Sequence, residues 1–355
     1  MTSLTRSRSL PRFRLAASVG SLLLLLSACS PAVPTPSQPD TAVPTPAATI
    51  TAGNVSRLTE LALWPVPGWV KYGLAFSPDG RQLAMAFDEG VDANTAIQLW
   101  DVTTGQRTGG LAGLRGRIEG VAFSPDSQTL AAGSSSQMVK LWQLPSGQSS
   151  QVWTLPAQAN SLAFAPDGKV LAIGLFDGTV QLREASSGQV LRTLAAHTSL
   201  VSAVAFSPDG TRLATGSFDT SLKLWDASSG QALRQFSGHQ HPVERVAWAP
   251  DGQTLASASS DGTVRLWDPA TGQARAVLSD KSVLEWFDVD FSADGTVVAA
   301  ASQNALGLWE TASGRALRTI GTTGESIGVD TAAFSPNGKL LATGGDHAVR
   351  LWGVP

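Results

Sequence analysis

Three groups of residues in this 355-residue chain carry side chains that do chemistry elsewhere. Gly324, Glu325, Ser326, Ile327 and Gly328 match G-x-S-x-G, the spacing that lifts a nucleophilic serine onto a strand-to-helix turn. Here the motif lies in a loop between two strand-like runs, and no helical pattern follows it. Asp88, Glu89, Asp92 and Asn94 are oxygen donors of the kind calcium takes, but EF-hand spacing is absent and solvated loop acids explain them. The four histidines form no H-x-H or H-E-x-x-H pattern, so no metal site and no cofactor are expected. No catalytic constellation emerges.

The elements that would position any site come from a repeat. The phrase AFSPDG or a variant occurs seven times, anchored at Phe76, Phe123, Phe164, Phe206, Trp248, Phe291 and Phe334. Its partner in each unit is an LW anchor at Trp100, Trp142, Arg183, Trp225, Trp267, Trp309 and Trp352. Successive anchors are 41 to 43 residues apart, except for a first Phe-to-Phe gap of 47. A period near 40 with several short strand signals per unit predicts an all-β, seven-bladed β-propeller. Each unit reads as four strands, as in 201–206, 213–217, 221–226 and 231–236, with Pro-Asp-Gly as turn chemistry. The fourth strand alternates more than the others, as an outer, half-exposed strand should. An apolar residue recurs 11 positions after each anchor (Leu111, Trp153, Leu194, Phe236, Leu278, Ile320), which assigns Trp153 to packing. The last unit has no fourth strand of its own, and an extra segment, Ser56 to Trp64, precedes the first. That N-terminal strand is expected to complete the last blade, close the ring and hide two sheet edges.

The pattern L-x-x-L-x-x-H-x-x-x-V-x-x-V-A-F-S-P-D-G, followed by L-A-T-G-S, an aspartate and L-K-L-W-D, resembles the WD40 repeat over about residues 54 to 355. The resemblance implies a polar tetrad that ties a blade together. Two blades match at all four positions: His197, Thr215, Asp219, Trp225, and His239, Ser257, Asp261, Trp267. A buried network of this kind rigidifies when every member is satisfied, so these histidines are expected to be structural. Other blades depart from the pattern, with Arg183 in place of Trp and Gln143 in place of Asp.

The resemblance also implies a partner-binding face at the narrower end of the channel. Its positions here are Tyr72, Glu119, Asn160, Ser202, Glu244, Phe287 and Asp330, with Phe176 and Phe218 before the hairpin aspartates of adjacent blades. Two exposed phenylalanines beside Asn160, Ser202 and Glu244 would form an aromatic anchor with a polar rim. Trp69 and the Trp286-Phe287 pair are weaker candidates that also suit core capping.

The N-terminus carries the address. Arg6, Arg8, Arg12 and Arg14 precede an apolar run, Leu15 to Leu26, and then Leu-Ser-Ala-Cys ending at Cys29. A basic region, a short apolar region and small residues before the cleavage point read as a signal peptide over residues 1–28. Leu-Ser-Ala-Cys resembles the bacterial lipobox, which implies lipidation of Cys29 and anchoring outside the cytoplasmic membrane, in the cell envelope. Residues 29–53, with six prolines between 30 and 53, read as a flexible tether, and 54–355 as the propeller. Cys29 is the single cysteine, so the ring has to hold by packing without a disulfide. Without residues 1–28 the chain has 21 basic and 28 acidic residues, a net of −7, which argues against nucleic acid.

These observations favour a non-enzymatic, membrane-tethered scaffold, monomeric, that holds a protein or peptide on the propeller face. The alternative is a hydrolase, a lyase or a small-ligand or metal binder, with Glu119, Glu244 and Asp330 converging in the channel.

Overall fold

In the computed structural model the seven repeats form seven four-stranded antiparallel sheets. Residues 42–71, 73–87, 97–321 and 328–355 are described. Blade 4 is typical, with strands Val201–Phe206, Arg212–Ser217, Leu222–Asp226 and Ala232–Phe236 paired in that order. The first strands of neighbouring blades touch around the whole ring, so the first strand is innermost and lines the channel. Burial follows from this order. Every residue of Leu213–Ser217 is buried between sheets, whereas Ala232–Phe236 buries only Phe236. The apolar runs of the middle strands and the alternation of the outer one are the local signatures of those two environments.

The SPDG turns hold the inner hairpins. In blade 4, Arg212 N–H donates to Ser207 Oγ (3.0 Å) and Thr211 N–H to Asp209 Oδ1 (3.0 Å). Gly210 takes φ of +71°, a left-handed conformation that glycine adopts without steric cost. Blade 2 has Ser127 at the same position with φ of +61°.

The seventh blade joins Thr331–Phe334, Leu340–Gly344 and Ala348–Gly353 to the N-terminal strand Thr59–Pro65. Trp64 pairs with Val349 and Pro65 with Ala348, so the ring closes through non-covalent strand pairing. The strand starts later than expected because Val55–Arg57 forms a 3-10 turn that buries Val55.

The propeller also begins earlier than residue 54. Val43 N–H donates to Thr103 O (3.0 Å), Ala47 N–H to Val354 O (3.0 Å) and Ile50 N–H to Gly338 O (2.7 Å). Val43 and Ile50 are buried against the ring. Residues 43–50, expected within the tether, thus pack on the propeller. Two aliphatic side chains within a Pro/Thr-rich stretch suffice to dock it, and a reading by composition averages them away. Among the described residues no helix is long and apolar enough to cross a membrane.

Candidate functional site

The two tetrads are geometrically complete. His239 Nε2 lies 2.7 Å from Ser257 Oγ and Nδ1 lies 2.8 Å from Asp261 Oδ2, while Trp267 Nε1–H donates to Ser257 Oγ (2.8 Å). In blade 4 His197 Nε2 lies 2.7 Å from Thr215 Oγ1 and Nδ1 lies 3.0 Å from Asp219 Oδ2, and Trp225 Nε1–H donates to Thr215 Oγ1 (3.0 Å). Thr263 and Ser221 add hydroxyl donors to Asp261 and Asp219. Burial lowers both histidines below the usual imidazole range. The same burial works against the aspartates, but the hydroxyl and backbone donors outweigh it and hold each at about 2. Both rings are buried among their own partners, an arrangement for bracing a blade.

Blades 1 and 3, which lack the tetrad, use a local substitute. Gln98 Oε1 accepts from Trp100 Nε1–H (3.1 Å). Arg183, where Trp is expected, donates to Gln181 Oε1 through Nε (2.9 Å) and Nη2 (2.8 Å) and lies over the Trp153 ring, 5.7 Å from its centre. A glutamine two residues earlier on the same strand takes over the acceptor role.

The face residues owe their aim to irregular strands. On the inner strands of blades 2 to 5 the pairing slips between Ile118 and Gly120, Ala159 and Ser161, Val201 and Ala203, and Val243 and Arg245. The residues skipped are Glu119, Asn160, Ser202 and Glu244. A bulge of this kind re-aims a side chain and ends regular pairing. In blades 6 and 7 pairing starts at Asp288 and Thr331, leaving Phe287 and Asp330 just outside it. Phe176 N–H donates to Gln158 O (2.9 Å) and Phe218 N–H to Leu200 O (3.1 Å). These bonds fix two hairpin corners beside the inner strands and leave the rings 54% and 39% exposed.

Seven of the nine expected face residues line one cavity of about 230 Å³: Glu119, Asn160, Phe176, Ser202, Phe218, Glu244 and Phe287. Within it their states differ. Glu119 is buried against Arg117, with Nε to Oε1 at 2.8 Å. Ser202 Oγ–H donates to the carbonyl of Val243, tying two blades together. Asn160 Nδ2 is buried without a hydrogen-bond partner among the described residues. Glu244 Oε1 accepts from Ser260 Oγ–H (2.7 Å), and burial pushes its carboxyl above the usual range. Asp330 lies outside the cavity lining: it is buried and accepts from Trp69 Nε1–H, and burial raises its carboxyl too. The described residues hold no group of three metal-ligating side chains. Tyr72, Cys29, the acids of 88–94 and Ser326 of the G-x-S-x-G motif lie outside the described residues.

Sequence reasoning missed the channel acids. The inner strand of blade 6 reads Asp288-Val289-Asp290-Phe291, where other blades have alanine at the position of Asp290. Asp288 Oδ2 accepts from Thr331 Oγ1–H (2.6 Å) and Ala332 N–H (3.1 Å), and Asp290 Oδ2 accepts from Phe334 N–H (2.7 Å). Arg245 Nε stands 3.6 Å from Asp288 Oδ1. Burial in the channel wall raises both carboxyls, that of Asp290 to about 7. A comparison of equivalent inner-strand positions across the repeats would have singled them out.

Residues 118–289 match the family of the second β-propeller of echinoderm microtubule-associated proteins, and residues 314–353 match the WD domain, G-beta repeat family. An uncharacterized WD repeat-containing protein of Synechocystis sp. is 37% identical over 79 residues, 22% of this chain and 21% of that protein. The matched stretch is thus a small part of the relative's length. Seven four-stranded sheets around a channel make the chain a seven-bladed β-propeller, and two complete His-Ser/Thr-Asp-Trp tetrads and these matches make its repeats similar to those of the WD domain, G-beta repeat family.

Proposed function

We propose that this protein is a non-enzymatic scaffold, lipid-anchored through Cys29 in a bacterial cell envelope, that holds a protein or peptide partner on the channel-mouth face. Propellers of the WD40 type generally bind protein partners. The observation that carries the reading is the pair Phe176 and Phe218, both exposed in adjacent blades above a cavity with a polar floor. Aromatic anchors over a desolvated pocket are what binding hot spots are made of. The bulges of blades 2 to 5 strengthen it, because four consecutive blades give up regular pairing at the positions that reach the cavity. The envelope address rests on the N-terminal sequence: four arginines, an apolar run and Leu-Ser-Ala-Cys.

The test is a crosslinking pull-down of the tagged full chain from its native envelope, beside a Phe176→Asp/Phe218→Asp variant with an unchanged thermal melt. A protein captured by the wild type and lost by the variant supports the face. Equal capture by both rejects it. For the anchor, metabolic labelling with a fatty acid should mark the wild type and leave Cys29→Ser unlabelled; label in both would reject Cys29 as the lipid site.

A further inference from the structure

We infer that the channel-mouth cavity receives the basic side chain, lysine or arginine, of a peptide or protein partner, an inference that rests on the docking reading above. The first argument is the balance of charge. Among the described residues, four ionisable side chains line the cavity: Arg117, Glu119, Glu244 and Arg245. Arg117 is met by Glu119 at 2.8 Å, and Arg245 by Asp288 at 3.6 Å across the channel wall. Glu244 is different. Among the described residues it has the Ser260 hydroxyl as a hydrogen-bond partner and no basic group within ion-pair distance. Burial outweighs the pull of the more distant Arg245 and Lys71 and holds its carboxyl above the ordinary range. A buried carboxylate of this kind is costly as it stands and gains most from a cation brought to it in low dielectric.

The second argument is the wall. Phe176 and Phe218 flank the cavity from blades 3 and 4 and Phe287 from blade 6. An aromatic face attracts a cation within about 6 Å of its centre, more strongly where water is thin. This wall already does so with a group of the chain itself: Lys71 Nζ sits 5.7 Å from the centre of the Phe287 ring. The third argument is size. A cavity of about 230 Å³ suits one long side chain with its methylenes, whose apolar stem would lie along the phenylalanines while the head reaches Glu244. The net charge of the whole chain, −3, favours the approach of a basic partner.

The full chain is titrated, by fluorescence anisotropy, with four labelled Gly/Ser octapeptides carrying arginine, lysine, citrulline or norleucine at the centre. Arginine or lysine is expected to bind at least about tenfold tighter than both neutral peptides, and Glu244→Gln to remove that preference without moving the melt. Phe176→Leu/Phe218→Leu, which keeps apolar bulk and loses the π faces, should weaken the basic peptides and leave norleucine unchanged. Tighter or equal binding of norleucine, a preference that survives Glu244→Gln, or no binding of any of the four overturns the inference. The envelope pull-down separates the two readings. A partner lost with Phe176→Asp/Phe218→Asp but kept by Glu244→Gln leaves the docking face standing and ends the cation pocket; a partner kept by both ends the docking face as well.

Discussion

Trp64 lies flat on Trp100, ring centroids 5.3 Å apart and planes 15° from parallel. Trp64 belongs to the outermost strand of blade 7 and Trp100 to the third strand of blade 1. The N-terminal strand therefore does two jobs: it completes one blade by pairing and clamps that blade to the next by stacking. The same contact recurs inside the ring. Phe236 of blade 4 packs edge-on against Trp267 of blade 5 at 5.6 Å, and Trp153 of blade 2 meets Arg183 of blade 3. Arg183 thus keeps the inter-blade contact as a cation over an aromatic face, where Trp100 and Trp267 keep it as a ring on a ring.

Trp64→Ala should cost about 3–5 kcal/mol, because the ring is fully buried and its loss leaves a cavity at the closure. Its Nε1 has no hydrogen-bond partner, so the loss is one of packing and stacking. Urea unfolding checks it; an unchanged midpoint would mean that the ring does not depend on this strand.

Removing residues 42–53 while keeping Thr59–Pro65 should lower stability measurably, since Val43 and Ile50 are buried against the propeller. Ile50→Ala alone is expected to cost roughly 2–4 kcal/mol, less if the segment frays before the ring opens. Native-state hydrogen exchange reads this directly. The Ile50 amide, bonded to Gly338 O, should be protected in the wild type and exchange freely in the variant.

Within blade 5, His239→Ala and Asp261→Ala should each destabilise by about 1–3 kcal/mol, and the double variant by clearly less than the sum. Each single change strands the other partner of a buried pair 2.8 Å apart. Additive losses in a double-mutant cycle would show that the tetrad is not one network.

The channel acids set a pH dependence. Burial raises Asp290 to about 7 from 3.8, so the folded chain binds this proton more tightly than the unfolded chain. Stability from this group is therefore full below the unfolded value and falls as pH rises from 3.8 to about 7. The two tetrad histidines act oppositely: burial lowers them from 6.5, so their contribution falls as pH drops below 6.5. Asp290→Asn should remove the fall in stability between pH 3.8 and about 7, on the order of 1–3 kcal/mol, and leave the curve below 3.8 unchanged. An identical curve in the variant would place the Asp290 titration elsewhere.

Replacing Arg183 by lysine keeps the charge and loses the paired donation to Gln181 and the planar contact with Trp153. A loss of about 1–2 kcal/mol is expected, with the melt as the readout. A neutral result would reduce Arg183 to a spacer.

The sequence by itself determined the ring. The period, the SPDG turns and the LW anchors are local chemistry, and each repeat restates it, so seven blades and their strand order could be read from spacing, and the two tetrads from the resemblance to the WD40 repeat. Even the closing strand was legible, because Trp64 stands as far before Phe76 as Phe236 stands before Trp248. The tertiary structure decided what depends on neighbours far away in the chain. Bulges at Glu119, Asn160, Ser202 and Glu244 arise where one strand slips against another, and pairing register is not a property of either strand alone. Asp330 looked like its siblings in the repeat until Trp69, 261 residues away, took its carboxylate. Val43 and Ile50 read as tether because composition is blind to what a stretch packs against. Asp288 and Asp290 went unnoticed because their shared burial exists only once blades 6 and 7 stand side by side at the channel.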